Sequence, residues 1–168
     1  MAVFPPGKGG GENVAYGYKG KGVLIHTLTE GGGMPLANIT TAANGNEREQ
    51  VIPLADKVKL KTNKRGRPRK RLKVIAGDKG YDGKKQRKQL RKRGIRAQFP
   101  KRQWKNRKNK GRPIKIDVPR YQQERCFAWY QRKYRRLVVR WERKPKNFDS
   151  FISLAMIHMW INKILLVG

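Results

Sequence analysis

The sequence predicts a mixed α/β fold, and three observations carry the prediction. A β-rich hairpin pattern comes first, between residues 22 and 42. Helical and strand patterns then alternate along the chain. A long apolar segment with helical character closes it. Strands followed by alternating helices and strands fit a sheet covered by helices. At 168 residues the chain amounts to at most one medium domain, long enough to bury a real core.

The elements follow in order. Residues 5–11 (PPGKGGG) read as a loop within a Gly/Pro-rich leader spanning 1–16. Residues 22–30 (GVLIHTLTE) are rich in β-formers and predict a strand, and Gly31-Gly32-Gly33 a turn. Residues 34–42 (MPLANITTA) predict the returning strand, with Pro35 near its start, where a missing donor is tolerable. Asn46, with Glu49 three residues on, resembles a capping box, and Val51, Leu54 and Val58 recur at helical spacing. Leu72 to Ala76 predicts a short buried strand. Asp82 reads as the N-cap of a helix running to about Arg93 and ended by Gly94. Ile95 to Phe99 fits a further strand. Pro119 suits the first position of a helix carrying Glu124, Phe127, Tyr130 and Tyr134. Leu137 to Val139 is ambiguous between strand and helix. A last helix is expected over about 147–166. No internal repeat is visible.

Charge says most about the partner. The formal net charge is +31, from 42 Lys and Arg against 11 Asp and Glu. Residues 57–113 hold 26 Lys and Arg against only Asp78 and Asp82. Such a block implies a polyanion, most simply nucleic acid, although a charge run can also be a solvated face. The basic stretches at about 61–71 and 100–115 read as loops. Within the first, Lys64, Arg65, Arg67, Arg69 and Lys70 flank a Gly-Arg-Pro core like that of an AT-hook, which lies in the narrow minor groove. A basic loop gripping phosphates without sequence preference is the favoured reading of the same residues. Trp104, Trp129 and Trp141 lie among cations and could stack on bases, although aromatics at such spacing more often belong to a core.

Cys126 is the single cysteine, which excludes an internal disulfide and a thiolate cluster. No signal peptide is apparent, and a cytoplasmic location is the default expectation. The segment from Phe151 to Val167 is interrupted by Ser153, His158, Asn162 and Lys163, so it falls short of the ~20 apolar residues of a membrane span. His26 and His158 lack companions at metal-ligand spacing and read as structural.

Two acids stand out for chemistry. Asp78 follows a short apolar run in VIAGDKGYD, and Glu124 sits in PRYQQERCF on the expected helix. Two-metal phosphodiester cleavage needs carboxylates converging on one spot. An Asp just beyond a buried strand is well placed for that, and Mg²⁺ takes oxygen ligands. Taken alone, such an Asp is more often a turn residue or a cap. Arg120, one turn before Glu124, suits either a phosphate or an ion pair with Glu124.

With these segments in order, the chain resembles the C-terminal part of DDE-type insertion-sequence transposases, from about Gly17 to Ile161. The hairpin from Tyr18 to Leu36 with Thr41-Ala42-Ala43-Asn44, the segments GDKGYD and QERCFAW, LVVRWER, Asn147-Phe148 and the closing helix carry the resemblance. It implies a ribonuclease H-like mixed sheet flanked by helices over 17–168, with the opening strand missing. It also implies Mg²⁺ or Mn²⁺ at a two-metal site, strand cleavage by a water hydroxyl, and attack of the freed 3′-hydroxyl on target DNA. Asp78 then matches the second acid, Glu124 the third, and Arg120 the Arg one turn before it. Gln131 stands where a basic residue is expected two turns after the Glu, beside Arg132 and Lys133. With Lys79 and Arg125, these two complete the expected DNA-binding set.

The first acid is expected just upstream of residues resembling Phe4-Pro5-Pro6-Gly7-Lys8. The chain opens Met1-Ala2-Val3 without one, and Glu12 is a poor substitute. A decayed copy, or a downstream frame joined to an upstream one, is therefore expected, with little cleavage by this chain alone. Expected partners are element ends and target DNA, an upstream-frame transposase polypeptide, and further copies of the chain; no membrane is expected. The rival reading is a non-enzymatic basic protein, an AT-hook-like DNA binder or a ribosomal-type RNA binder, in which both acids are structural.

Overall fold

The computed structural model describes residues 2–59, 65, 72–101, 111–117 and 121–165. The basic stretches at 60–71 and 102–110 lie outside these, Arg65 excepted. So do Pro119, Arg120 and Trp104.

An antiparallel sheet forms from β1 (Ala2–Val3), β2 (Ala15–Gly17), β3 (Gly20–Thr29) and β4 (Pro35–Ala42). Strand β3 pairs with all three others. Its residues Gly22 to Thr27 are buried in succession, so both faces of the strand are covered. Alternate residues serve different layers. Val23 and Ile25 join Val3 and Met34 in a core with α3 and α5, whose ranges are Tyr121–Arg132 and Pro145–Leu165. On the other side, Leu28 packs with Leu54 and Val58 of α1 (Val51–Lys57) and its C-cap. The β3–β4 turn closes where Glu30 N–H donates to the Met34 carbonyl (2.9 Å) and Gly33 takes a φ of +89°.

The leader residues belong to this sheet. Gly7 N–H donates to the Lys21 carbonyl (3.1 Å), and Val23 N–H to the Pro5 carbonyl (3.1 Å). Gly9 and Gly11 lie directly on the backbone of Trp141 and Arg143, where no Cβ fits.

Strands β5 (Val74–Ala76) and β6 (Arg96–Gln98) form a separate parallel pair, joined by α2 (Lys84–Lys92). The expected mixed α/β class holds, with the strands divided between two sheets among the described residues. Helix α1 lies between them and supplies both cores. Its Val51 and Ala55 pack with Ile75, Tyr81, Leu90, Ile95 and Phe99, while Leu54 faces β4.

Two local expectations change, and one open reading is settled. Asn46 caps a 3-10 turn, Glu47–Gln50, ahead of α1, accepting from Arg48 N–H (3.1 Å). Asp82 is not the N-cap of α2. Gly83 holds that position, and the Asp82 carboxylate turns to Arg87 Nε (2.7 Å). The ambiguous Leu137 segment is a short helix, α4 (Arg135–Val138), that buries Leu137 and then runs extended at Val139. Helix α5 buries Phe148, Ile152, Ala155 and Met159 but leaves Leu154, Ile157, Ile161, Ile164 and Leu165 exposed. Among the described residues no helix is long and apolar enough to cross a membrane.

Candidate metal and nucleic-acid site

The apolar strand β5 delivers the chain to Gly77 and Asp78. Gly77 sits against the Phe99 and Tyr81 rings, so tightly that a Cβ would come within 3.0 Å of Phe99. Asp78 is extended, and its Oδ1 accepts from Gly80 N–H (2.6 Å), capping a 3-10 turn at Lys79–Tyr81. Oδ2 has no hydrogen-bond partner among the described residues.

A neighbouring segment holds this turn. Tyr81 Oη donates to Glu47 Oε2 (2.9 Å), and Arg48 Nε donates to the Gly80 carbonyl (2.9 Å). Burial, then the Glu47 carboxylate and more weakly Asp78, push the Tyr81 phenol far above its ordinary range, so it stays a donor. Sequence reading missed Glu47 and Arg48 as partners of this loop. Their signal was confined to a capping pattern, because the pairing spans more than thirty residues.

Glu124 lies on α3, whose opposite side buries Cys126, Phe127 and Tyr130. Burial raises the Cys126 thiol to about 12, which keeps it an inert core residue. Gln123 Nε2 donates to the Thr27 carbonyl (2.6 Å), tying the helix to β3. Glu124 itself is exposed. The residues preceding the two acids, Gly77 and Gln123, line one small cavity of about 40 Å³ with His26, Thr27, Glu47 and Tyr81.

Asp78 Oδ2 and the exposed Glu124 carboxylate are the hard oxygen donors that Mg²⁺ and Mn²⁺ prefer, so their chemistry fits the expected ions. Among the described residues, no group of three His, Cys, Asp or Glu side chains gathers in a metal-holding arrangement.

The expected nucleic-acid contacts are dispersed. Lys79 is exposed on the Asp78 turn. The Arg125 guanidinium lies over the half-buried Trp129 ring at 4.9 Å, a stacking contact internal to α3. Arg132 and Lys133 are exposed at the end of that helix, and Arg65 is exposed. Lys64, Arg67, Arg69, Lys70 and Arg120 lie outside the described residues. Trp141 is exposed with Lys8 Nζ 5.9 Å from its ring centre. His26 and His158 have structural partners, the Thr41 hydroxyl (2.8 Å) and the Tyr134 hydroxyl (2.9 Å).

Residues 4–160 match the family described as Transposase DDE domain, and the chain belongs to that family. It is 36% identical, over 130 residues, to a Burkholderia cepacia protein named as a candidate transposase for insertion sequence element IS402. That similarity covers 77% of this chain and 58% of the relative, so the chain spans little more than half the length of the curated protein it matches. No solved structure matches.

Proposed function

We propose that the chain is the catalytic-core portion of a transposase, acting in divalent-metal-dependent DNA strand cleavage and transfer within a ribonuclease H-like arrangement. Asp78 and Glu124 are its metal-binding carboxylates, and DNA is its partner. The observation that carries this is the family match together with the cavity shared by the neighbours of both acids. When bound, the metal polarises the phosphate and activates water. The chain's own residues hold the ligands. The Gly80 amide fixes one oxygen of Asp78 and leaves the other open, and Gln123 anchors the helix that bears Glu124. Arg120, one turn before Glu124 in sequence, supplies positive charge for the scissile phosphate. Arg65, Lys79, Arg125, Arg132 and Lys133, with the basic stretch containing Lys64, Arg67, Arg69 and Lys70, contact the DNA backbone.

Two carboxylates hold metal less well than three, so this chain alone cleaves little DNA. Nicking of supercoiled plasmid in Mg²⁺ or Mn²⁺ tests this. Wild type is expected near background, and strong nicking that Asp78→Asn abolishes would refute the inactivity while supporting the site. Strong nicking that Asp78→Asn leaves intact would refute the site itself.

A further inference from the structure

Helix α2 has a face that the proposed site leaves unused. Its five outward cations are Lys84, Lys85, Lys88, Arg91 and Lys92, and none has a partner among the described residues. At about 100° per residue they fall within an arc of about 120°. The buried residues Gln86 and Leu90 lie opposite the middle of that arc. The two cations at its flanks are neutralised, Arg87 by Asp82 (2.7 Å) and Arg93 by Asp56 (2.9 Å). Local acids are thus spent on the sides of the helix, and the outer face keeps its charge.

That arrangement disfavours the isolated helix. Lys84, Lys88 and Lys92 stand at i, i+4 and i+8, where like charges repel. Lys84 and Lys85 also occupy the first turn, where the helix dipole favours acids, and there are none. A face that is merely solvated has no need of such uniformity, whereas a polyanion offsets all of these costs together. The cations from Lys84 to Lys92 extend over about 12 Å. That length lets the helix reach about two or three successive phosphates of one DNA strand. The helix also begins two residues after the Lys79–Tyr81 turn that Asp78 caps.

We propose that the outer face of α2 is a docking surface for the phosphate backbone of duplex DNA, beside the Asp78 turn. The proposal rests on the reading of DNA as the partner. It adds residues outside the sequence stretch 64–70 and outside α3.

The test is the salt dependence of binding to a short duplex by fluorescence anisotropy. It compares wild type, Lys84→Gln/Lys88→Gln/Lys92→Gln, the matching Lys→Arg triple, and a control Lys144→Gln/Lys146→Gln/Lys163→Gln. Each phosphate contact contributes about 0.9 to the slope of log K against log salt. The α2 Gln triple is expected to flatten the slope by about 2 to 3, the Arg triple to keep it, and the control to shift it by less than about 1. Circular dichroism is expected to show the Gln triple folded and at least as heat-stable as wild type, since repulsion is relieved. Equal slope changes in the α2 and control triples overturn the proposal while leaving DNA as the partner. Absence of duplex binding by wild type overturns both. Tighter, α2-dependent binding to an RNA hairpin or to phosphatidylserine vesicles at matched salt overturns the choice of DNA.

Discussion

Arg140 is 1% exposed, with its guanidinium donating to the carbonyls of Glu142 (2.8 Å) and Arg143 (3.1 Å) and lying over Phe148. Removing it leaves the buried Glu142 carbonyl without its donor and empties the space over Phe148, while the Arg143 carbonyl keeps the Glu12 N–H (3.1 Å). Arg140→Ala is expected to lower the unfolding free energy by about 3 kcal/mol in urea titrations, with Arg140→Lys recovering only part. A loss below about 0.5 kcal/mol, the size typical of a surface change, would contradict that role. His26 gives a pH signature. Burial holds its imidazole down at about 4, from an ordinary 6.5. Between those values the unfolded chain binds the extra proton, so stability falls as pH falls through the window, by roughly 3 kcal/mol in all. Urea midpoints of wild type and His26→Gln are expected to converge as pH drops from 7 towards 4; a constant gap would show that His26 is not held neutral by the fold. Neither role was legible in the sequence. Arg140 is one of many arginines in a basic run, and burial alone distinguishes it.

At the scale of elements, the loop carrying Asp78 depends on the 3-10 turn before α1. Tyr81→Phe removes the donor to Glu47, and Arg48→Ala removes the donor to Gly80. Each is expected to loosen the loop by about 1 kcal/mol, read as roughly fivefold faster amide exchange at Gly80 and Tyr81. Unchanged exchange in both variants would mean the loop holds itself through the Asp78 cap alone. The β3–β4 hairpin was readable from β-formers around three glycines, and α1 from its buried spacing. Strand β5 was readable from a short apolar run. The second sheet was harder to foresee, because strand pairing is non-local and an apolar run does not name its neighbour. Asp82 looked like a cap because local chemistry favours it there, but an ion pair with Arg87 took the carboxylate instead. The cationic arc of α2 was present in the spacing and is visible on a helical projection. It was masked in the linear reading by the basic residues around it.

At the scale of the whole molecule, a net charge of +31 opposes compaction. Raising ionic strength from about 0.05 to about 0.5 M is expected to raise the melting temperature, as screening shortens the reach of repulsion. A flat or falling trend would mean that the charges are already compensated. The same charge makes bare DNA affinity uninformative, so the central claim needs a readout at the two acids. Calorimetric titration of Mn²⁺ into wild type, Asp78→Asn and Glu124→Gln, all confirmed folded, is the most direct one. Saturable binding by wild type that is lost or at least tenfold weaker in both variants is the predicted result. Identical binding in all three proteins, or none in wild type, would contradict the assignment of Asp78 and Glu124 as metal ligands.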